Sequence, residues 1–166
     1  MALDSMAVYI SAMSSILTVT LDDASIIRRT PEVEHERRVA MADLIEANEF
    51  ALCGENAPSG PYTLFISVRE NRLTLTLTNA SAQAQHLVLP LAPFRRIIKD
   101  YFLVCESYYE AIKHAGADKI QTLDMARRSI HNEGSEQMQS MLRDAAVMDF
   151  DTARRLFTLV CVLHIR

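Results

Sequence analysis

The stretch YTLFISVRENRLTLTLT, residues 62–78, decides the fold class because it contains two strands and the turn that joins them. Apolar residues alternate with polar or smaller ones on both sides of a Glu-Asn-Arg turn, which is the period of a strand with one buried face. The stretch therefore predicts a β-hairpin with one solvent-exposed face. The residues expected on its buried face are Tyr62, Leu64, Ile66, Val68, Leu73, Leu75 and Leu77.

The sequence before the hairpin predicts a strand, a helix and a loop. Residues 17–21 alternate leucine or valine with threonine, as a half-buried strand does. Thr30-Pro31 is typical of a helix N-cap followed by proline at the first helical position, and this helix should reach about Asn48. Residues 53–61, CGENAPSGP, are rich in turn-forming residues and predict a loop.

The sequence after the hairpin predicts one more strand and then only helices. The strand covers residues 86–89 and ends at Pro90, which cannot donate a ladder hydrogen bond. From Pro93 onward, apolar residues recur at steps of three and four, as on one face of a helix. We expect a break or bend at residues 132–134 and a last helix that is capped by Asp151.

Strands grouped before helices indicate an α+β fold. We expect a small, mostly antiparallel sheet of about four strands with four to five helices, and a C-terminal half that is entirely helical. Residues 16–166 are interpreted as a single α+β domain. Residues 1–15 show no clear period and are interpreted as a poorly ordered N-terminal extension.

Composition and charge restrict the classes of function. Of 166 residues, 49% are hydrophobic and 23% are charged, as in a soluble globular protein. The net charge of −4 argues against a general nucleic-acid-binding protein, which needs a basic surface. Three widely spaced cysteines form no Cys-x-x-Cys pair, so they predict no zinc site and indicate a reducing compartment. We expect a cytoplasmic protein without a metal, a cofactor or a membrane span.

Ten of the fourteen arginines occur as five doublets. In three of them an acidic residue precedes the doublet by three and four positions, which on a helix places its carboxylate beside both guanidinium groups. We interpret these six arginines as partners in salt bridges within their own helices. The sets are Glu34 with Arg37-Arg38, Asp124 with Arg127-Arg128, and Asp151 with Arg154-Arg155.

The other two doublets have no acid at those positions, and both lie at predicted helix starts. Cations there oppose the helix dipole, typically by about 0.3–1 kcal/mol at exposed sites, whereas free N–H groups at a helix start attract anions. Two interpretations stay open: salt bridges elsewhere in the fold, or the binding of a phosphate, a carboxylate or an acidic partner. In the second case the candidate ligand-binding residues are Arg28, Arg29, Arg95, Arg96 and Lys99.

The segment HNEGS at residues 131–135 is the other candidate site. His131 and Glu133 follow the Arg127-Arg128 doublet by about one helical turn, and they are the candidate catalytic residues for acid–base or phosphoryl chemistry. The structural alternative is a helix cap and a bend at Gly134, with His131 hydrogen-bonded locally.

Four segments of the chain form a known pattern: RTPEVEHER (29–37), PFRRIIKDYF (93–102), ESYYEAI (106–112) and DFDTARRLFTL (149–159). Together they resemble an alphaproteobacterial family, uncharacterised protein family 0262, and the HNEGS segment also fits its pattern. The resemblance covers roughly residues 16–166. It implies a bacterial, cytoplasmic, single-domain protein, and it carries over no activity and no catalytic or binding residue.

Three functional hypotheses follow, in this order. The first is a binding or regulatory module for an anionic metabolite or an acidic, phosphorylated protein segment, held by the doublets at 28–29 and 95–96. The second is a protein–protein interaction module in which all arginines are structural. The third is an enzyme acting on a phosphorylated or carboxylated metabolite, with His131 and Glu133 as acid–base groups and with Arg127 and Arg128 steering the anion.

Overall fold

The computed structural model of the chain describes residues 14–22, 24 and 31–163. This part of the chain forms six strands and four helices, which confirms the α+β class. In chain order the elements are β1 (Ile16–Leu21), α1 (Pro31–Glu46), β2 (Phe50–Leu52), β3 (Tyr62–Arg69), β4 (Arg72–Thr78), β5 (Ala84–Pro90), α2 (Ala92–His114), α3 (Ala117–Met141), β6 (Ala146–Met148) and α4 (Phe150–Leu163).

The main sheet has four strands in the order β1-β3-β4-β5. The predicted hairpin is formed by β3 and β4, with Leu64 opposite Leu77 and both side chains buried. β5 pairs with β4 in the antiparallel sense, whereas β1 runs parallel to β3. Parallel strands need a crossover connection, and the chain between β1 and β3 contains α1. The sheet is therefore mixed rather than purely antiparallel.

A second sheet of two short strands was not predicted. β2 pairs with β6 in the antiparallel sense, with Phe50 opposite Met148. Next to this pair, the Glu49 N–H donates to Thr152 Oγ1 at 2.9 Å. The small sheet thus ties the end of α1 to the start of α4. The C-terminal half of the chain is helical apart from β6.

The first described residues are hydrogen-bonded to the fold. The carbonyl oxygen of Ser14 accepts from the Phe50 N–H at 3.1 Å, and that of Ser15 accepts from the Tyr62 N–H at 2.9 Å. Residues 14 and 15 of the expected extension therefore contact β2 and β3. The remainder of the expected extension, residues 1–13, lies outside the described residues.

Helix α4 is the central helix of the core, since nine of its fourteen residues are buried. It packs against both α1 and α3. The sequence assigned its cap to Asp151, and this was wrong. The carboxylate of Asp149 accepts from the Thr152 N–H at 3.2 Å and also from the Thr152 hydroxyl, as an N-cap residue does.

Helix α3 is continuous through residues 132–134, so the predicted break is wrong. The physical reason lies on α4. A Cβ added to Gly134 would overlap three atoms of the Phe157 ring. The glycine therefore permits a close approach between two helices and does not interrupt its own. Within the described ranges, no helix is long and apolar enough to cross a membrane.

Candidate functional site

A cleft of about 380 Å³ is lined by residues of all four helices. Two arginine doublets face it: Arg127 and Arg128 come from α3, and Arg154 and Arg155 come from α4. From the sequence all four were assigned to salt bridges within their own helices, and Arg127 and Arg128 were also the anion-steering residues of the enzyme hypothesis. The fold brings the two doublets to one concave surface, whose other lining residues are Asp43, Tyr101, His131, Asp151 and Thr158.

A hydrogen bond between His131 and Thr158 joins α3 to α4 in the cleft. The His131 Nε2 atom lies 2.8 Å from Thr158 Oγ1. The Thr158 hydroxyl donates to the carbonyl oxygen of Arg154 at 3.0 Å. Because a hydroxyl has only one hydrogen to donate, His131 must be the donor in its bond to Thr158. The neutral imidazole therefore carries its proton on Nε2.

The environment of His131 keeps its ring neutral at pH 7. Burial lowers the pKa of His131 to about 4, and the positive charges of Arg154 and Arg127 act in the same direction. The rings of Tyr101 and Phe157 pack edge-on against the imidazole, with centroids at 5.4 and 5.1 Å. A histidine with this pKa is not poised for proton transfer near neutrality.

The second predicted catalytic residue, Glu133, does not line the cleft. Its carboxylate lies 3.3 Å from the Arg96 guanidinium of α2. The structure therefore does not bring His131 and Glu133 together at one site. Instead, His131 shares the cleft with Arg127 and Arg128, as the enzyme hypothesis required of its anion-steering residues.

The α3 wall of the cleft has an excess of positive charge. One carboxylate, Asp124, pairs with Arg127 at 2.6 Å and with Arg128 at 2.8 Å. The hydrogen bond from Arg127 is the largest cause of the lowered pKa of Asp124. Arg127 also lies over the Tyr108 ring, 5.1 Å from its centroid. The predicted intrahelical salt bridges are thus confirmed here, and one carboxylate is shared by two guanidinium groups.

The two arginines of the α4 wall have weaker ionic contacts than those of the α3 wall. The Arg154 guanidinium lies 3.8 Å from the Asp151 carboxylate. Arg155 donates to a neutral acceptor, the carbonyl oxygen of Ala47, at 2.6 Å. The Nε atoms of Arg127 and Arg154 are buried and find no hydrogen-bond partner among the described residues. Internal groups therefore leave part of the hydrogen-bonding capacity of these arginines unused.

The third acid-preceded doublet lies away from this cleft, on α1. Arg37 pairs with Glu34 at 2.6 Å, as the sequence predicted. Arg38 donates its Nε–H to the carbonyl oxygen of Glu34 at 3.4 Å, and not to the carboxylate.

The residues predicted to hold an anion at the start of α2 are exposed. Arg96 pairs with Glu133, and the two side chains are 79% and 54% exposed. Arg95 and Lys99 form no ion pair with any residue in the described ranges. The doublet Arg28-Arg29 lies outside the described residues.

No group of three or more histidine, cysteine, aspartate or glutamate side chains in the described part of the chain could hold a metal ion. The cleft is instead dominated by guanidinium groups and hydroxyls, which are groups that recognise anions.

The fold and the cleft define an α+β protein whose helices form an arginine-lined cleft. The chain belongs to the family described as Uncharacterised protein family (UPF0262), whose model matches residues 13–166. A UPF0262 protein of Xanthobacter autotrophicus is 53% identical over 148 residues, which are 88% of this chain and 89% of that relative. One from Roseobacter denitrificans is 49% identical over 156 residues, 92% of this chain and 98% of the relative. No solved structure matches the chain.

Proposed function

We propose that the protein is a binding module for an anionic small molecule and that the arginine-lined cleft is its binding site. The observation that carries this proposal is the convergence of two doublets, Arg127-Arg128 and Arg154-Arg155, on one concave surface. Guanidinium groups form paired, charge-assisted hydrogen bonds with carboxylates and phosphates. The class of ligand is that of the first sequence hypothesis, and the residues that hold it are different.

The charge balance of the cleft supports an external anion. Its four guanidinium groups outnumber the three carboxylates found there among the described residues: Asp43 and Asp151 in the lining, and Asp124 beside it. His131 is neutral at pH 7, so one positive charge is in excess. Because Arg128 is 66% exposed, it can contact a ligand without breaking its bond to Asp124. The volume of the cleft also falls in the range of small-molecule sites, about 300–1,000 Å³.

The other hypotheses have less support from this geometry. The enzyme hypothesis requires His131 in a concave pocket that faces arginines, and the cleft meets this requirement, but its second acid–base group, Glu133, pairs with Arg96 and does not line the cleft. The interaction hypothesis needs a contiguous apolar patch. In the described part of the chain the exposed large apolar side chains lie on seven elements, and no more than three of them lie on any one element.

The test is thermal denaturation of the full chain with inorganic phosphate, pyrophosphate and citrate, at ionic strength matched with sodium chloride because salt screens exposed charges. A ligand at 100 times its Kd stabilises by about 2.7 kcal/mol. For a chain of this size that raises Tm by roughly 5–10 °C.

Two cleft variants and two controls locate the effect. We expect Arg128→Gln and Arg155→Gln to lose most of the anion-induced shift in Tm. We expect Arg95→Gln, at the start of α2, and Arg72→Gln, in the hairpin, to keep it. Loss of the shift in Arg95→Gln with retention in Arg128→Gln would move the site to α2. Absence of stabilisation by every anion in the panel would overturn the proposal.

A further inference from the structure

We infer that the cleft binds an α-amino acid with an anionic side chain, so that two anionic groups flank an ammonium group. This inference rests on the proposed anion-binding function and specifies its ligand class. It follows from the order in which charges occur along the cleft, which the packing of α4 against α3 and α1 fixes.

Helices α3 and α4 run antiparallel at the cleft. The side chain of His131 meets Thr158, Gly134 meets Phe157, and the Gln139 amide donates to the carbonyl oxygen of Met148 at 3.0 Å. Residue numbers that rise along α3 thus meet numbers that fall along α4 and the strand before it. The N-terminal ends of α3 and α4 therefore point to opposite ends of the cleft.

This direction places the two doublets on opposite sides of the His131–Thr158 bond. Arg127 precedes His131 by four residues on α3, and Arg154 precedes Thr158 by four residues on α4. Four residues rise about 6 Å along a helix. Because the helices are antiparallel, the backbone levels of the two doublets are about 12 Å apart. A cleft of about 380 Å³ that spans this length has room for a single extended molecule.

Asp43 lies between the two doublets. The Glu49 N–H contacts Thr152, and the Ala47 carbonyl contacts Arg155, so α1 also runs antiparallel to α4. Asp43 precedes Ala47 by one turn and is therefore level with Thr158, one turn beyond Arg155. Its carboxylate forms no ion pair within the described part of the chain.

The order of charges between the ends of the cleft is therefore doublet, carboxylate, doublet, and Asp151, one turn beyond Arg154 and paired with it, follows at the α4 end. Only uncharged side chains share the middle level with Asp43: His131, Thr158 and Tyr101, whose ring packs on the imidazole. A ligand without a cation would bring its middle beside the unpaired Asp43 carboxylate. In an amino acid with an anionic side chain, the ammonium group stands between the α-carboxylate and the distal anion, which matches this order.

The test compares amino acids with their counterparts that lack the amine. Isothermal titration calorimetry of the full chain would use L-glutamate against glutarate and L-2-aminoadipate against adipate. O-phospho-L-serine against its N-acetyl derivative, in which the ammonium becomes a neutral amide, makes the same comparison with a phosphate as the distal anion. We expect the free amino acid to bind at least five-fold more tightly in one or more pairs. Equal or weaker binding of the amino acid in every pair would overturn the inference.

Asp43→Asn provides the matched specificity test. Asp43 is exposed, so the substitution should leave the fold unchanged. We expect it to weaken binding of the amino acid and to strengthen binding of its amine-free counterpart, which brings the affinity ratio close to one. An unchanged ratio would contradict the role of Asp43. If glutarate and adipate bind as tightly as the amino acids and still require Arg128 and Arg155, only this inference fails. If no anion binds the cleft, the proposed function fails as well.

Discussion

Replacing Gly134 by alanine tests the close packing of α3 on α4, on which the shape of the cleft depends. The added methyl group would overlap three atoms of the Phe157 ring, and that ring is fully buried. Overpacking of this kind costs about 1–3 kcal/mol, and a rigid ring should place the cost at the upper end. Alanine recovers about 0.5–1 kcal/mol of helix propensity. The expected net loss of stability is about 2 kcal/mol, which for a chain of this size lowers Tm by about 4–8 °C.

Urea denaturation with far-ultraviolet circular dichroism would measure this change as a lower midpoint with an unchanged m-value. Gly116→Ala is the matched control, because a Cβ there meets no atom within 4 Å and φ is −75°. Because Gly116 is the N-cap of α3, where glycine is preferred to alanine, the control should cost at most about 1 kcal/mol. In a Phe157→Leu background, Gly134→Ala should cost less than in the wild type. A Gly134→Ala protein at least as stable as the wild type would refute the close approach of the two helices.

Three further predictions concern single side chains. Asp43→Asn removes a negative charge from the cleft, so phosphate should bind about two- to five-fold more tightly by calorimetry. His131→Gln should remove a pH dependence of stability. The pKa of His131 is about 4 in the folded state, against the ordinary value of 6.5. As the pH falls, the unfolded state therefore binds a proton at a higher pH than the folded state does. Stability should therefore fall by about 2 kcal/mol between pH 7.5 and 5 in the wild type, and by less in the variant. Asn48→Ala should cost about 2–3 kcal/mol in urea denaturation, because its side chain bonds both backbone groups of Ile16 and the carbonyl of Leu44.

Each of these three has a contrary outcome. Unchanged or weaker phosphate binding in Asp43→Asn would show that this carboxylate does not face the bound anion. Parallel pH profiles of wild type and His131→Gln would show that His131 is not held neutral by its surroundings. A loss below about 0.5 kcal/mol in Asn48→Ala would show that these hydrogen bonds are replaced by water at no cost.

The strands with a strong period-2 pattern could be predicted from the sequence, because alternation is a local property. The hairpin of β3 and β4 is the clearest case. The parallel pairing of β1 with β3 could not be read in this way, since it depends on a crossover. Strands β2 and β6, of three residues each, are too short to show a period. Their pairing is a contact between distant parts of the chain.

Rules based on neighbouring residues in the sequence predicted only some of the contacts that the arginines make. The rule that an acid one turn upstream pairs with a doublet held for Asp124, which contacts both following arginines. It could not show that a second doublet, on α4, faces the same cleft. A signal did exist in the segments DMARRSI (124–130) and DTARRLF (151–157), which repeat the motif Asp-x-Ala-Arg-Arg on two helices. Gly134 was misread as a helix break for the same reason, since the Phe157 ring that requires it is distant in sequence.

The most direct test of the central claim is to locate a bound anion by NMR. Spectra of the arginine Nε–Hε groups of the full chain, recorded during a titration with inorganic phosphate at constant ionic strength, report each guanidinium separately. We predict saturable shifts of the Nε–Hε signals of Arg127, Arg128, Arg154 and Arg155. For Arg72 we predict no shift larger than the one that the salt control produces. Saturable shifts at Arg95 and Arg96 with an unchanged cleft, or no saturable shift at any arginine, would contradict this prediction.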